Sequence, residues 1–197
     1  MNISFFGNAF LKIESKNLTI AIDPFLEKIG KVSKFKADIL LSTNPTSLNE
    51  KGVLGDPFIL KNAGEIEEEG VFVEGIYVED FIIYRIICED MNILVLGEYD
   101  LGKLNDKVLD QIGSVDILLV GVNKDVKNML NIISQVQPKV IVPLMYKQKG
   151  ISNDCLEVDK FTKEYGVDYE EVNKLNIRKS NLPADEDSRS LLYLINS

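Results

Sequence analysis

The stretch that decides the fold runs from Ala37 to Gly52 and reads ADILLSTNPTSLNEKG. The apolar run Ile39–Leu41 predicts a short buried strand, and the polar residues from Ser42 onward predict a tight loop at the rim of a sheet. In α/β proteins, loops at such a rim commonly carry the chemistry. This loop contains no histidine or cysteine, and its first acidic residue is Glu50. The position of this loop therefore predicts an active site, but the loop lacks the residue types that usually carry out catalysis.

The composition indicates a globular domain of ordinary size. The chain has 197 residues, of which 45% are hydrophobic and 27% charged. This suits a single domain spanning residues 1–197 with a sizeable core. No apolar run approaches the roughly 20 residues that a membrane-spanning helix needs, and the start MNISFFGNAF lacks the features of a signal peptide. We therefore expect a cytoplasmic protein without a membrane partner.

The charge of the chain argues against a nucleic-acid partner. The formal net charge is −9, so the chain as a whole repels polyanions unless one face is locally basic. Lys31, Lys34 and Lys36 form a tight basic cluster, which we interpret as a solvated loop. The acidic run from Glu65 to Glu69 is interpreted as a solvated edge.

The chain contains no histidine at all. This removes the commonest metal ligand and the commonest general base in proteins. The two cysteines, Cys88 and Cys155, are expected to be reduced, and no histidine is present to activate either thiol.

Strand and helix signals alternate in two strand-rich halves. Helices are predicted from Asn105 to about Ile112, from about Asp125 to Gln137, and from a cap at Asn153 or Asp154 to Gly166. The segment between the Asn44 loop and Gly64 is predicted to be irregular. The pattern favours two packed sheets with helices outside them. The predicted strands are 2–6, 10–14, 18–22, 38–41, 71–76, 81–88, 92–96, 115–121, 140–143 and 191–195.

Several segments, taken in order, carry a family resemblance. They are ISFFGNAF (3–10), LTIAIDPF (18–25), ADILLST (37–43), LGE (96–98), VDILLV (115–120) and QPKVIVP (137–143). Together they resemble the metallo-β-lactamase-fold hydrolases, in the small single-domain branch that includes ascorbate-phosphate-lactonase-like proteins. The resemblance covers almost the whole chain. It implies an α/β fold, namely a four-layer αββα sandwich of two mixed β-sheets.

The chain departs from this family at the metal-binding motif. Family members carry His-x-His-x-Asp-His directly after the strand that matches 38–42, and zinc prefers such imidazole and carboxylate ligands. The resemblance places further family ligands at Asn8, Glu98 and Met145, and the pocket loop that begins at Gly121 is shortened. We therefore expect no metal, no other cofactor and no catalytic residue in a remnant pocket. The predicted remnant pocket comprises Asn8, Asp23, Thr43, Pro45, Ser47, Leu48, Glu98, Met145 and Tyr146.

Three interpretations of function remain open at this point. The first is a degenerate metallo-β-lactamase-fold protein that binds an unknown small molecule or protein without catalysis. The alternative is a hydrolase with altered or non-zinc chemistry, in which Glu98 is the base or holds magnesium or calcium together with Asp23 and Asp100. The third is a structural subunit of a homo-oligomer.

The substitutions also predict how the vacated pocket is arranged. We expect Leu48 and Met145 to fill part of the space, because their side chains are apolar. Glu98 is expected to accept a hydrogen bond from Thr43, Ser47, Asn8 or Tyr146. Asp23 follows a strand and precedes Pro24, a position typical of a side chain that accepts hydrogen bonds from backbone N–H groups.

Overall fold

A computed structural model describes residues 1–16, 18–25, 28–31, 33–44, 46, 48–122, 125–184 and 190–197. Three α-helices lie in these ranges: α1 (Asp106–Ile112), α2 (Val126–Val136) and α3 (Val158–Tyr165). The strands in these ranges are β1 (Asn2–Phe5), β2 (Leu11–Ser15), β3 (Leu18–Ile22), β4 (Phe35–Lys36), β5 (Ile39–Leu41), β6 (Val53–Leu54), β7 (Phe58–Leu60), β8 (Gly64–Glu68), β9 (Val71–Val78), β10 (Phe81–Cys88), β11 (Met91–Gly97), β12 (Ile117–Gly121), β13 (Val140–Leu144), β14 (Tyr169–Val172), β15 (Leu175–Asn176) and β16 (Leu191–Ile195).

The first sheet is mixed and has the strand order β15-β1-β2-β3-β5-β7. Strands β1, β2 and β3 pair antiparallel, whereas β3, β5 and β7 pair parallel. Strand β15 comes from the second half of the chain and pairs antiparallel with β1. The carboxyl ends of β3 and β5 consequently lie at the same edge of this sheet.

The second sheet is also mixed and has the order β14-β16-β13-β12-β11-β10-β9-β8. Strands β8 to β11 form an antiparallel meander, and the remaining contacts from β11 to β14 are parallel. Helices α1 and α2 connect the parallel pairs β11–β12 and β12–β13, as such crossover connections require. The parallel strands β12 and β13 are buried along their whole length, because both faces are covered.

The main core lies between the two sheets and extends under the helices. It includes Ile20 and Ile39 from the first sheet, Ile93 from the second, and Ile112 and Phe161 from the helices. The two packed mixed sheets confirm the predicted fold class. The helices all follow residue 105 in the described chain and pack with the second sheet.

The outer face of the first sheet has a separate, smaller core. Side chains alternate along β3 and β5, so Ala21 and Leu40 point away from the main core and pack with Phe10 and Phe25. The two-stranded ribbon of β4 and β6 and the adjoining loops contribute Phe35, Val53, Ile29, Leu48 and Ile151 to this cluster. The predicted four-layer sandwich has a helix layer on the outer face of each sheet. In the described part of the chain, the β4–β6 ribbon covers the outer face of the first sheet instead.

The helix ends follow their sequence signals closely. The Asn105 side chain accepts a hydrogen bond from the Val108 N–H at 3.0 Å, and Gly113 ends α1 with a φ of 62°. Asp125 caps α2 in the same manner, and Gly166 ends α3. No helix in the described ranges is long and apolar enough to cross a membrane.

Other secondary-structure predictions were wrong. The third helix begins at Val158 rather than near Asn153, and the segment that precedes it, which contains Cys155, has no regular structure. Strands β6 and β7 lie in the segment that was predicted to be irregular. Strands β4, β8, β14 and β15 were also missed. Most of these strands are short or lie at a sheet edge, so their own side chains show little of the alternation that reveals a half-buried strand.

Tyr84 connects the two sheets through its buried hydroxyl group. Its ring lies in the main core on β10, and its hydroxyl is 2.9 Å from the carbonyl oxygen of Ser42 and 2.7 Å from that of Leu60. These carbonyls lie at the carboxyl ends of the neighbouring strands β5 and β7. The backbone Ile82 N–H also donates to the Thr43 carbonyl oxygen at 3.1 Å. The rim of the first sheet is thereby held against β10.

We predict that Tyr84→Phe lowers the free energy of unfolding by about 1–3 kcal/mol, because the buried Ser42 carbonyl and the partly buried Leu60 carbonyl lose their shared donor. Urea denaturation of the purified variant measures this change. The matched control is Tyr77→Phe, because that hydroxyl donates to Asn62 at the surface and its loss is expected to change stability by less than about 0.5 kcal/mol. Equal effects of the two substitutions would contradict the role assigned to Tyr84.

Candidate functional site

The predicted site residues come from the ends of strands that meet at one rim. Asp23 follows β3, Thr43 closely follows β5, Glu98 follows β11 and Met145 follows β13. The Asp23 N–H donates to the Leu41 carbonyl oxygen at 3.1 Å, and the Met145 N–H donates to the Asn8 carbonyl oxygen at 2.7 Å. Residues far apart in the sequence are therefore brought to one edge of the two sheets, where strand ends commonly form sites.

The backbone at this rim turns sharply at several non-glycine residues. Asn8, Asp23 and Met145 have φ values of 53°, 50° and 49°. Residues with a side chain rarely adopt this left-handed conformation, and such residues concentrate at functional sites.

Asp23 and Thr43 form a closed hydrogen-bonded pair. One carboxylate oxygen of Asp23, Oδ1, accepts the Thr43 N–H at 2.7 Å, and the other, Oδ2, accepts the Thr43 hydroxyl at 2.6 Å. The Thr43 Oγ1 atom in turn accepts the Glu98 N–H at 3.2 Å. Thr43 is fully buried and Asp23 nearly so. The expectation that Asp23 accepts a backbone N–H is confirmed, and its partner Thr43 lies just after the neighbouring strand β5.

Gly97 lets β11 approach this pair closely. Its φ is +52°, and a Cβ atom at this position would meet Thr43 Oγ1 and would lie 2.6 Å from Asp23 Oδ2. Any larger residue would push into the Asp23–Thr43 pair. Gly97 therefore belongs to the site, although the sequence showed it only as part of the Leu96-Gly97-Glu98 segment.

Burial raises the pKa of the Asp23 carboxyl group to about 7. The hydrogen bonds from Thr43 oppose this increase, and the nearby charge of Glu98 adds to it. A carboxyl group with such a pKa exchanges its proton near neutral pH, which is common at functional sites. Here both of its oxygen atoms are engaged with Thr43.

Glu98 accepts a hydrogen bond from a residue that the sequence prediction did not include. The Asn44 side-chain amide donates to Glu98 Oε2 at 2.7 Å. The Asn44 Oδ1 atom accepts from the Thr46 hydroxyl at 2.7 Å, which orients the amide. Of the predicted donors, Thr43 contacts the Glu98 backbone rather than its carboxylate. Asn44 was overlooked because the predicted site followed the spacing of the family motif, which skips this position.

An open cleft of about 580 Å³ lies beside Glu98. Its walls come from the Asn44 loop, from the residues after β11 and from the irregular segment before α3. Sequence reasoning missed the last of these segments because it was assigned to a helix. The lining residues are Asn44, Phe81, Glu98, Asp100, Met145, Ser152, Asn153, Asp154 and Cys155.

The expectation that Leu48 and Met145 fill the pocket was wrong for Leu48. Leu48 packs into the smaller core on the outer face of the first sheet, with Phe10 and Phe25. Met145 packs partly against the main core and forms one wall of the open cleft. Leu48 turns away because the apolar cluster under the β4–β6 ribbon buries its side chain better than a polar cleft does.

The remaining predicted residues support the rim or lie outside the described residues. The Asn8 side chain accepts a hydrogen bond from the Asn153 amide at 3.2 Å. Tyr146 is buried against Phe5, with ring centroids 5.7 Å apart, and does not line the cleft. Pro45 and Ser47 lie outside the described residues, as does the end of the shortened loop at Asn123.

The donor atoms at this rim do not fit a zinc or iron centre. Thr43 supplies a hydroxyl group that is already bonded to Asp23, and Asn8 and Met145 supply an amide and a thioether. Among the described residues, no group of three cysteine, aspartate or glutamate side chains is arranged to hold a metal ion. The described residues of this rim therefore do not support metal-centred chemistry.

The structure combines two packed mixed sheets with a cleft at their rim. Residues 2–145 match the beta-lactamase superfamily domain, so the chain belongs to this superfamily. This match covers strands β1 to β13 and therefore the strand ends that form the rim. No curated protein matches the chain.

Solved structures show the same fold. A Thermotoga maritima protein, proposed to be a zinc-dependent hydrolase of the metallo-β-lactamase superfamily, is 25% identical with a TM-score of 0.80, and 99% of this chain and 98% of that chain are covered. A proposed metal-dependent hydrolase from Parabacteroides distasonis is 14% identical with a TM-score of 0.64, covering 98% and 91%. An isothiocyanate hydrolase from Delia radicum gut bacteria is 14% identical with a TM-score of 0.61, covering 84% and 93%.

We predict that Asp23 makes stability depend on pH in a defined direction. Between its ordinary pKa of 3.8 and its folded pKa of about 7, the unfolded chain has lost the Asp23 proton while the folded chain keeps it. The free energy of unfolding therefore decreases as pH rises through this window, by up to about 1.4 kcal/mol per pH unit from this residue. Asp23→Asn should remove this contribution, because the amide resembles the protonated acid. Denaturation curves of both proteins across the window test this, and identical slopes would contradict it.

We also predict that Gly97→Ala lowers the free energy of unfolding by about 3 kcal/mol or more, because the methyl group enters the Asp23–Thr43 pair. The control is Gly166→Ala, where φ is also positive at +73° but a Cβ meets nothing within 4 Å. That control should lose only about 1 kcal/mol, from backbone strain alone. Thermal and urea unfolding measure both values, and equal losses would contradict the close approach at Gly97.

Proposed function

We propose that this superfamily member is a non-catalytic binding protein, which retains the hydrolase fold but has lost metal-centred chemistry. One observation carries the proposal: the polar groups at the former metal rim bond to one another. Asp23 accepts two hydrogen bonds from Thr43, and the Thr43 hydroxyl oxygen accepts one from the Glu98 N–H. The Glu98 carboxylate accepts a hydrogen bond from the Asn44 side chain. A rim of this kind is stable without a metal ion, because each buried polar group already has a partner.

The cleft beside Glu98 supports binding of a small molecule. Its volume of about 580 Å³ lies within the range of about 300–1,000 Å³ for ligand pockets. Phe81 and Met145 offer apolar surface, and Asn153 offers an amide that can orient a polar ligand. Since the described residues leave this space open, a ligand can enter without displacing their core.

The alternative proposal is a hydrolase in which Glu98 acts as a general base. The observation that favours it is the open cleft, which Glu98 lines together with Asp100 and Asp154. A carboxylate at the wall of an open cleft can take a proton from a substrate or a water molecule held there. Catalysis of this kind would depend on Glu98 and would need no metal.

We predict that the purified protein contains less than about 0.1 zinc, iron or manganese ion per chain, because the rim lacks a suitable ligand set. We also expect no turnover of p-nitrophenyl acetate, a lactone or a phosphodiester. Elemental analysis and the three assays test this. Turnover that disappears in Glu98→Gln but persists in Glu67→Gln, a change on the exposed β8 edge, would overturn binding in favour of the alternative. Stoichiometric metal would overturn both proposals.

Binding itself is tested by screening a panel of small metabolites for a thermal shift. A compound that uses the cleft should lose its effect in Ser152→Trp, which places an indole at the cleft wall. The matched control, Ser134→Trp on the exposed face of α2, should keep the effect. Hits that are equally weakened by both substitutions, or by neither, would contradict binding at this cleft.

A further inference from the structure

A lysine-rich surface lies on the outer side of the first sheet, around the β4–β6 ribbon. The Ser152 N–H donates to the Ile29 carbonyl oxygen at 2.7 Å, and a Cβ at Gly30 would lie 3.2 Å from the Gly150 carbonyl oxygen. These contacts join the loop at residues 28–31 to the loop at residues 147–152. The exposed lysines of this surface, named here the lysine face, are Lys28, Lys31, Lys34, Lys36, Lys51 and Lys149.

The β4–β6 ribbon points its charge outward. Phe35 pairs with Val53, and both side chains pack onto the smaller core. Because side chains alternate along a strand, the next pair, Lys36 and Leu54, points to the opposite side and is exposed. The ribbon is thus amphipathic, and its outer side carries a cation next to an apolar group.

Acidic side chains of the described residues do not neutralise the lysine face. Within the described ranges, no ion pair joins any of its lysines to an acid. Glu50, which lies beside Lys51, is paired with Lys61 at 3.0 Å instead. Its six lysines outnumber the exposed acids in the described parts of residues 28–56 and 147–152, which are Asp38, Glu50 and Asp56. The lysine face therefore carries a local excess of positive charge in a chain with a net charge of −9.

Exposed apolar side chains lie on the same outer side. Phe6 is 42% exposed and stacks on Phe10, which is part of the smaller core. Leu54 is 41% exposed on the ribbon, and Ile59 is 37% exposed on the edge strand β7. Adjacent cations and apolar groups are the combination that binds the interface of an anionic lipid bilayer.

We propose that the lysine face docks this protein on anionic membranes. A protein partner fits less well, because interface cores are depleted of lysine and enriched in arginine. A nucleic acid fits less well, because the exposed apolar groups would gain nothing from the phosphate backbone. The acidic remainder of the molecule does not prevent docking, since charges beyond about 8 Å are screened at physiological salt. The inference replaces our interpretation of Lys31, Lys34 and Lys36 as a merely solvated loop. It also replaces our expectation of a protein without a membrane partner.

The docking surface borders the cleft but does not depend on its function. Ser152 lines the cleft and bonds to Ile29 at the edge of the lysine face. A docked molecule would hold this side of the cleft near the lipid headgroups. The inference would stand whether the cleft binds a ligand, catalyses a reaction or does neither.

Sedimentation with lipid vesicles tests the proposal on the full chain. The protein should sediment with phosphatidylcholine vesicles that contain about 30% phosphatidylserine, release at high salt, and remain free with phosphatidylcholine alone. The triple variant Lys31→Gln, Lys34→Gln, Lys36→Gln should lose on the order of 100-fold in partitioning, since each lysine near the surface contributes about fivefold. Leu54→Ser should weaken partitioning without changing its salt dependence.

Matched controls separate docking from net charge. The first control is a second triple variant, Lys103→Gln, Lys107→Gln, Lys163→Gln, which removes three exposed lysines outside the lysine face. The second control is Leu101→Ser, which removes an exposed leucine outside the lysine face. Both controls should partition like the unmodified protein, and circular dichroism confirms that every variant is folded. Three results would overturn the proposal: no sedimentation with phosphatidylserine vesicles, equal losses in the two triple variants, or tighter binding to duplex DNA than to the vesicles.

Discussion

The buried pair of Asp23 and Thr43 is the constraint on which the rim of this protein depends. It joins the ends of β3 and β5 and receives β11 through the Glu98 N–H. A carboxyl group this deeply buried is unfavourable unless it is hydrogen-bonded. Gly97 is required above it because a side chain there would displace the pair. The left-handed backbone of Asp23 is held by the same contacts.

The core explains how the fold can persist without the family's metal ligands. Apolar residues of both sheets and of the three described helices form one continuous core. The burial of these side chains stabilises the fold whichever residues occupy the rim. Tyr84 adds a polar connection between the sheets at the base of the rim. The rim can therefore change its residues, as long as each buried polar group finds a new partner. Thr43 and Asn44 provide such partners here.

The surface of the protein is divided electrostatically. The glutamate-rich edge strand β8 and the lysine face around the β4–β6 ribbon lie on different sheets. Net charge alone hides this division, since it averages over the whole molecule. The ribbon also accounts for the position of Leu48, because its apolar inner side completes the smaller core.

The sequence by itself determined the two-sheet fold, the helix caps at Asn105 and Gly113, and the convergence of Asp23, Thr43 and Glu98, because these follow from local periodicity, capping chemistry and family resemblance. It did not determine the short strands β6 and β7, whose pairing partners lie elsewhere in the chain. Only the tertiary structure decided that Asn44 binds Glu98, that Leu48 leaves the cleft, and that separate loops form one lysine face. Each of these depends on which distant segments pack together, and no local pattern encodes such contacts.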